Sequence, residues 1–251
     1  MMTFTIAWRE LKHLFLSPLA WCVLAVIQFI IAWMFLVQVD NFLKFAPSMA
    51  GMPSAPGVTD AVAAPLFSTA SVVMLLVVPI MSMRLVAEER RSGTLSLLLS
   101  APVSMTEIVL GKYLGLLIFL LIMLGLIVLM PLSLSVGTHL DYGKLFTGVL
   151  GLGLLLGAFA AAGLFISSLT KQPVVAAVSS FGLLLLLWII SWAGSGNANF
   201  SPTFHYLSLL DHYSSLLRGS FDTTDVVYYL LFIVTFLVLS IRRMDAYRLQ
   251  H

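Results

Sequence analysis

One short stretch holds most of the side chains able to do directional chemistry. Arg84 is followed by Glu88-Glu89-Arg90-Arg91, five charges within eight residues of a 251-residue chain that is only 10% charged. Ser92, Gly93, Thr94 and Leu95 follow directly. Carboxylates and guanidiniums at this spacing form charge-assisted hydrogen bonds with a partner surface. They do not make a nucleophile or a metal set. Gly111-Lys112 has Thr106 where a G-x-x-x-x-G-K-[ST] run needs its first glycine, so the chain has no such cradle for nucleotide phosphates. No H-E-x-x-H occurs, and no G-x-S-x-G sits where a strand would turn into a helix. Cys22 is the sole cysteine, which excludes an internal disulfide and a thiolate metal site. His139, His205 and His212 are scattered without a Cys or Met cluster, so no metal site, no catalytic residue and no nucleic-acid partner is expected.

The elements that position this island are membrane spans. The chain is 60% hydrophobic with mean hydropathy +1.05, whereas soluble domains carry about 25% charged residues. The expected fold class is all-α and polytopic. Six segments approach the roughly 20 apolar residues needed to cross a bilayer: 19–39, 63–83, 114–134, 145–169, 174–194 and 226–241. None contains Asp, Glu, Lys, Arg or His, which argues against a proton relay or ion site inside the bilayer. The first run is longer than the h-region of a signal peptide, so it is expected to be an uncleaved span. With both termini inside, ten of the thirteen basic residues fall on the cytoplasmic side and Lys44, Lys144 and Arg218 outside, a positive-inside bias.

Residues 3–17 carry Phe4, Ile6, Ala7, Leu11, Leu14 and Phe15 on one helical face, with Arg9, Glu10, Lys12 and His13 elsewhere. This pattern predicts an amphipathic helix on the inner leaflet, with an extension of span one as the alternative. Asp40–Val62, rich in Pro, Gly, Ser and Ala, is expected to be a mobile loop. Residues 86–105 are expected to continue a helix out of span two, end it at Gly93, and start a short helix capped by Thr94. Ser104 and Glu107 form an S-x-x-E capping box. Segment 195–225 contains an aromatic and leucine-rich stretch, 204–217, suited to a short helix at or dipping into the outer interface. The pairs Gly111/Gly115 and Gly153/Gly157 permit close helix approach and are expected to pack helices within one subunit. On pattern alone, the island around Glu88 is either a knob for a partner's socket or a helix held on the inner leaflet.

The run Glu88-Glu89-Arg90-Arg91-Ser92-Gly93-Thr94-Leu95-Ser96-Leu97-Leu98-Leu99-Ser100-Ala101-Pro102-Val103-Ser104, followed by Glu107-Ile108-Val109-Leu110-Gly111-Lys112, resembles the central motif of type-2 ABC transporter permeases. Leu207–Gly219 followed by Asp225-Val226-Val227-Tyr228-Tyr229-Leu230 is similar to the gliding-motility branch, which includes the nitrous-oxide-reductase-maturation permeases. Ser96 departs from the motif, where an acidic residue is common.

The resemblance implies a transport subunit that is not itself an enzyme. It would work as a homodimer in the bacterial inner membrane, in contact with lipid and driven by separate ABC ATPase subunits that bind the ATP and Mg. Glu88, Glu89, Arg90, Arg91, Gly93, Thr94 and Leu95 would seat in a groove of the ATPase. Spans one and five would line the dimer interface, making Gln28, Gln38, Trp188 and Trp192 candidates for the translocation path; ordinary packing and an aromatic belt are their alternative. The apolar spans favour export of an amphiphilic or lipid-like substrate. Two other functions stay open: force transmission to a periplasmic accessory protein without transport, and an ATP-independent membrane scaffold.

Overall fold

The structure is a computed structural model that describes residues 2–49, 57–94, 103–194 and 206–248. These residues form helices and connecting turns: α1 (Met2–Leu16), α2 (Pro18–Met49), α3 (Ala64–Ser82), α4 (Ala87–Ser92), α5 (Met105–Ser133), α6 (Tyr142–Leu169), α7 (Pro173–Gly194), α8 (Leu209–Leu217) and α9 (Thr223–Arg248). Six helical stretches are long and apolar enough to span a membrane. The all-α fold is as expected. The loop assigned to Asp40–Val62 is not: α2 runs on to Met49, and a π-helical turn, Thr59–Ala63, leads into α3. Its composition misled because Asp40 and Lys44, four residues apart, pair on the same helical face.

Helix α6 is the hub. Leu152, Leu155, Leu156, Phe159 and alanines 158 and 160–162 are fully buried, and α3, α5, α7, α8 and α9 all pack against it. Its small side chains let the neighbouring helices come close without leaving voids. By contrast, α2 exposes Trp21, Phe29, Trp33 and Leu36, as lipid or a second protein would require.

Helix α1 packs chiefly on α5, and two glycines set the distance. A Cβ on Gly111 would lie 2.7 Å from the Ile6 side chain; one on Gly115 would lie 2.7 Å from Glu10 Cβ and 3.0 Å from the Ala7 carbonyl. Gly157 likewise faces Tyr113 and Ile233 at 3.1–3.2 Å, so these glycines pack helices within one chain. The buried face of α1 is Ala7, Glu10, Leu11 and Leu14, while Phe4 is exposed. The expected amphipathic face is therefore corrected: it rotates to take Glu10 inward, because a cation waits there.

At the opposite end, α8 is fastened to the spans through its polar atoms. Ser208 caps it by accepting from the Asp211 amide. The Tyr213 hydroxyl donates to the Phe67 carbonyl at 2.9 Å, and Tyr229 to the Leu209 carbonyl at 2.8 Å. Burial pushes the Tyr213 phenol well above its ordinary pKa, so it stays a donor. His212 Nδ1 lies 2.6 Å from the Asp225 carboxylate, its Nε2 lies 3.0 Å from the Tyr206 carbonyl, and its ring stacks on Tyr228.

Gly115→Val forces α1 off α5 and should destabilise the protein by about 1–3 kcal/mol, seen as a lower melting midpoint in detergent. Gly125→Ala, where a Cβ meets nothing within 4 Å, should be neutral or stabilising by about 0.4–1 kcal/mol. His212→Ala strips buried Asp225 of its partner, and the amides of α8 should exchange hydrogen markedly faster.

Candidate functional site

The charged island is a built structure at the end of the bundle that carries α1. The chain leaves α3 through turns at residues 83–86, so α4 is a separate helix and not the continuation of span two that was expected. Ser167 on α6 bridges the break. Its hydroxyl oxygen accepts from the Val86 and Ala87 amides at 3.2 and 3.0 Å and donates to the Met83 carbonyl at 2.9 Å. Those groups would otherwise be unpaired at a buried helix end. Gly93 ends α4 with φ +75°, a left-handed position that suits glycine. Thr94 and Ser92 share a hydroxyl contact at 2.9 Å. Ser104 and Glu107 form both bonds of the capping box at the start of α5.

The four charges of α4 divide into two inward and two outward. The Arg90 guanidinium donates to the Ser168 carbonyl at 2.6 Å and lies 4.6 Å over the ring of Tyr247 on α9. Glu89 turns to Lys112. Glu88 faces outward, its side chain half exposed and 3.8 Å from Arg84; Arg91 is exposed.

Lys112 is the centre of the site. Its side chain is 1% exposed, and its ammonium donates to Glu10 Oε1 at 2.9 Å and to Glu89 Oε1 at 2.7 Å. Arg9 adds a 3.8 Å contact to Glu89. One buried cation thus joins α1, α4 and α5. Burial is the largest influence on Glu10 and raises its pKa. The Lys112 ammonium, with Arg9, outweighs it, and the net value lies below the ordinary 4.5. Glu10 and Lys112 were not among the expected site residues; Lys112 figured only as a cytoplasmic basic residue and as the end of the motif run. The available signal was Gly111 and Gly115 flanking Lys112, since those glycines let another helix approach the residue whose buried ammonium needs a counter-charge.

Of the proposed path residues, Gln28, Gln38 and Trp188 are described within the single chain. Gln28 Nε2 donates to the Met123 carbonyl at 3.1 Å, an ordinary tie between α2 and α5. Gln38 Oε1 is buried without a partner. Trp188 is buried against Phe159, with ring centroids 6.3 Å apart. Helices α2 and α7 both pack on α3 and, among the described residues, make no substantial contact with each other. The Trp192 side chain and Leu95 lie outside the described residues, as does the helix expected after Thr94. Among the described residues, no group of three or more His, Cys, Asp or Glu gathers as a metal site.

Six membrane-length helices, with one charged helix held rigidly at a single end, now stand beside the sequence motif. The profile of the family described as ABC-2 family transporter protein matches residues 4–249. The chain belongs to that family. This ABC-2 chain is a multi-pass membrane protein of a family of ABC-transporter permeases, whose members are membrane transport subunits, and an ABC ATPase is its implied partner. A comparison with curated proteins returned no match.

Lys112→Met leaves Glu10 and Glu89 without their buried cation and should cost about 3–5 kcal/mol; adding Glu10→Gln should recover part of it. Because the Glu10 pKa is depressed, its ionised form contributes in full above 4.5 and fades as pH falls through the lowered value. Melting midpoints in detergent should therefore fall on acidification below pH 4.5, and fall less in Glu10→Gln.

Proposed function

We propose that the chain forms a homodimer that couples ATP hydrolysis by two separate ATPase subunits to export of an amphiphilic or lipid-like substrate. The ATPases bind the ATP and Mg; this chain supplies the membrane path and the coupling knob. The observation that carries this reading is the division of α4. Glu88 and Arg91 point outward for a partner, while Glu89 and Arg90 are anchored to α1, α5, α6 and α9. A knob tied to four helices moves them when it is moved, whereas a surface helix held by lipid needs no internal anchors. Thr94, Gly93 and Leu95 complete the knob by the motif match.

The mechanism follows from these ties. ATP binding draws two ATPase grooves together, each groove carries its seated α4, and the internal anchors pass the motion to α1, α5, α6 and α9. The exposed apolar faces of α2 and α7 meet their copies across the dimer axis, with Gln28, Gln38, Trp188 and Trp192 near the central path. The cytoplasmic placement of both termini and the bacterial inner membrane belong to the same proposal, as does the gliding-motility branch suggested by residues 207–219 and 225–230.

A second reading has its own observation. The fastening of α8 to α3 through Tyr213, and to α9 through His212, Tyr228 and Tyr229, suits delivery of motion to a periplasmic accessory protein. In that case α8 would be needed and no substrate would cross.

The test is co-purification of the chain with its ATPase in detergent, wild type against Glu88→Lys/Arg91→Glu. Both positions face outward, so the variant should fold with an unchanged melting midpoint yet retain at least about tenfold less ATPase. Equal retention would show that the ATPase seats elsewhere.

A further inference from the structure

A cavity of about 350 Å³ opens between α1, the first turn of α2, the last turns of α3, and α4. Its size is that of a small-molecule site, and far above the roughly 30 Å³ that one water occupies. Leu14, Leu19, Ala20, Met81 and Leu85 give its lining an apolar share, and Arg9, Glu10, His13, Arg84, Glu88, Glu89 and buried Lys112 a charged one. Since α2 begins at Pro18 and α3 ends at Ser82, the cavity straddles the level at which two spans leave the apolar layer. Lipid head groups lie at that depth.

Hydrogen-bonding capacity of both signs is unspent in this cavity. Among the described residues, Arg84 approaches Glu88 only at 3.8 Å, beyond hydrogen-bonding distance. Arg9 spends one 3.4 Å contact on Glu10. Among the described residues Glu88 has the 3.8 Å ion pair with Arg84 but accepts no hydrogen bond, and Glu89 Oε2 is buried without a donor. Arg9, Arg84 and Lys112 balance Glu10, Glu88 and Glu89 in formal charge. A simple anion would be drawn to the guanidiniums and repelled by Glu88 and Glu89; a simple cation would meet the reverse. A ligand bearing both charges, with an apolar tail, satisfies every wall.

We propose that this cavity binds the head group of a zwitterionic phospholipid carrying a primary amine. The phosphate lies against Arg9 and Arg84, the ammonium against Glu88 and Glu89, and the acyl chains leave along Leu14, Leu19 and Leu85. A primary ammonium offers three N–H donors to the carboxylates. A choline group has none, and a glycerol head group has no cation, so the cavity discriminates among lipids of similar size. Because the bound head group touches α1, α3 and α4, this lipid bears on the same knob that the ATPase engages. Glu88 is shared with the proposed ATPase contact, but lipid retention is read on the chain alone, with neither ATPase nor cargo present, so failure of this proposal is distinguishable from failure of the export reading.

The full chain in detergent micelles is mixed with equimolar dioleoyl phosphatidylethanolamine, phosphatidylcholine and phosphatidylglycerol, and retained lipid is counted by native mass spectrometry. Ethanolamine lipid should be retained about tenfold over either competitor. Arg84→Gln/Glu88→Gln should reduce that preference to near parity. Leu19→Trp, which adds bulk to the cavity lining without removing a charge, should abolish retention. Equal retention of the three lipids by wild type overturns the proposal, as does a preference unchanged in both variants. Preference for phosphatidylglycerol, or displacement of the ethanolamine lipid by millimolar inorganic phosphate, would make the cavity a plain anion site and overturn it too.

Discussion

A single ammonium, that of Lys112, holds the working end of this protein together. Buried lysine is rare because removing its charge from water costs several kcal/mol unless a counter-charge is in place. Here two carboxylates from two other helices supply it, Glu10 at 2.9 Å and Glu89 at 2.7 Å. Such a group is weak evidence for net stability, since an apolar replacement of all three could be as stable. Its use lies in specificity. An apolar seam tolerates sliding by a turn, whereas a two-carboxylate seat for one cation fixes α1, α4 and α5 in one register.

Other features of the same end act in concert with it. Gly111 and Gly115 bring the α1 backbone within reach, without which Glu10 could not meet Lys112. Ser167 closes the broken backbone between α3 and α4, and Arg90 ties the other side of α4 to α6 and α9. A six-residue helix has too few internal hydrogen bonds to persist alone in water. Held at its start by Ser167 and on two faces by Lys112 and Tyr247, α4 becomes an extension of the bundle. Its outer side chains are then free to contact something else.

Much of this was legible in the sequence. Runs of apolar residues fix span number because the bilayer imposes a length, and the polar island stood out because the rest of the chain is so poor in charge. The Gly93 stop and the Ser104–Glu107 box were readable because capping is local chemistry. What was not legible depended on contacts between distant segments. Glu10 and Lys112 are 102 residues apart, and α1 viewed alone places Glu10 among its polar residues. Likewise, Glu88, Glu89, Arg90 and Arg91 look equivalent as text, and only packing separates the two that face inward from the two that face out. The helical extension to Met49 was hidden by a composition typical of loops.

The most direct measurement is the distance between α1 and α4 during turnover. Spin labels at Lys12→Cys and Ser92→Cys, both exposed positions, in a Cys22→Ser background, can be read by pulsed electron resonance with the ATPase bound, before and after ATP addition. If Lys112 makes one rigid unit of these helices, the distance distribution stays narrow and unchanged with nucleotide, and broadens in Lys112→Met. A wild-type distance that shifts with ATP would contradict it, showing that α4 moves against α1 and that the buried cation is not the link.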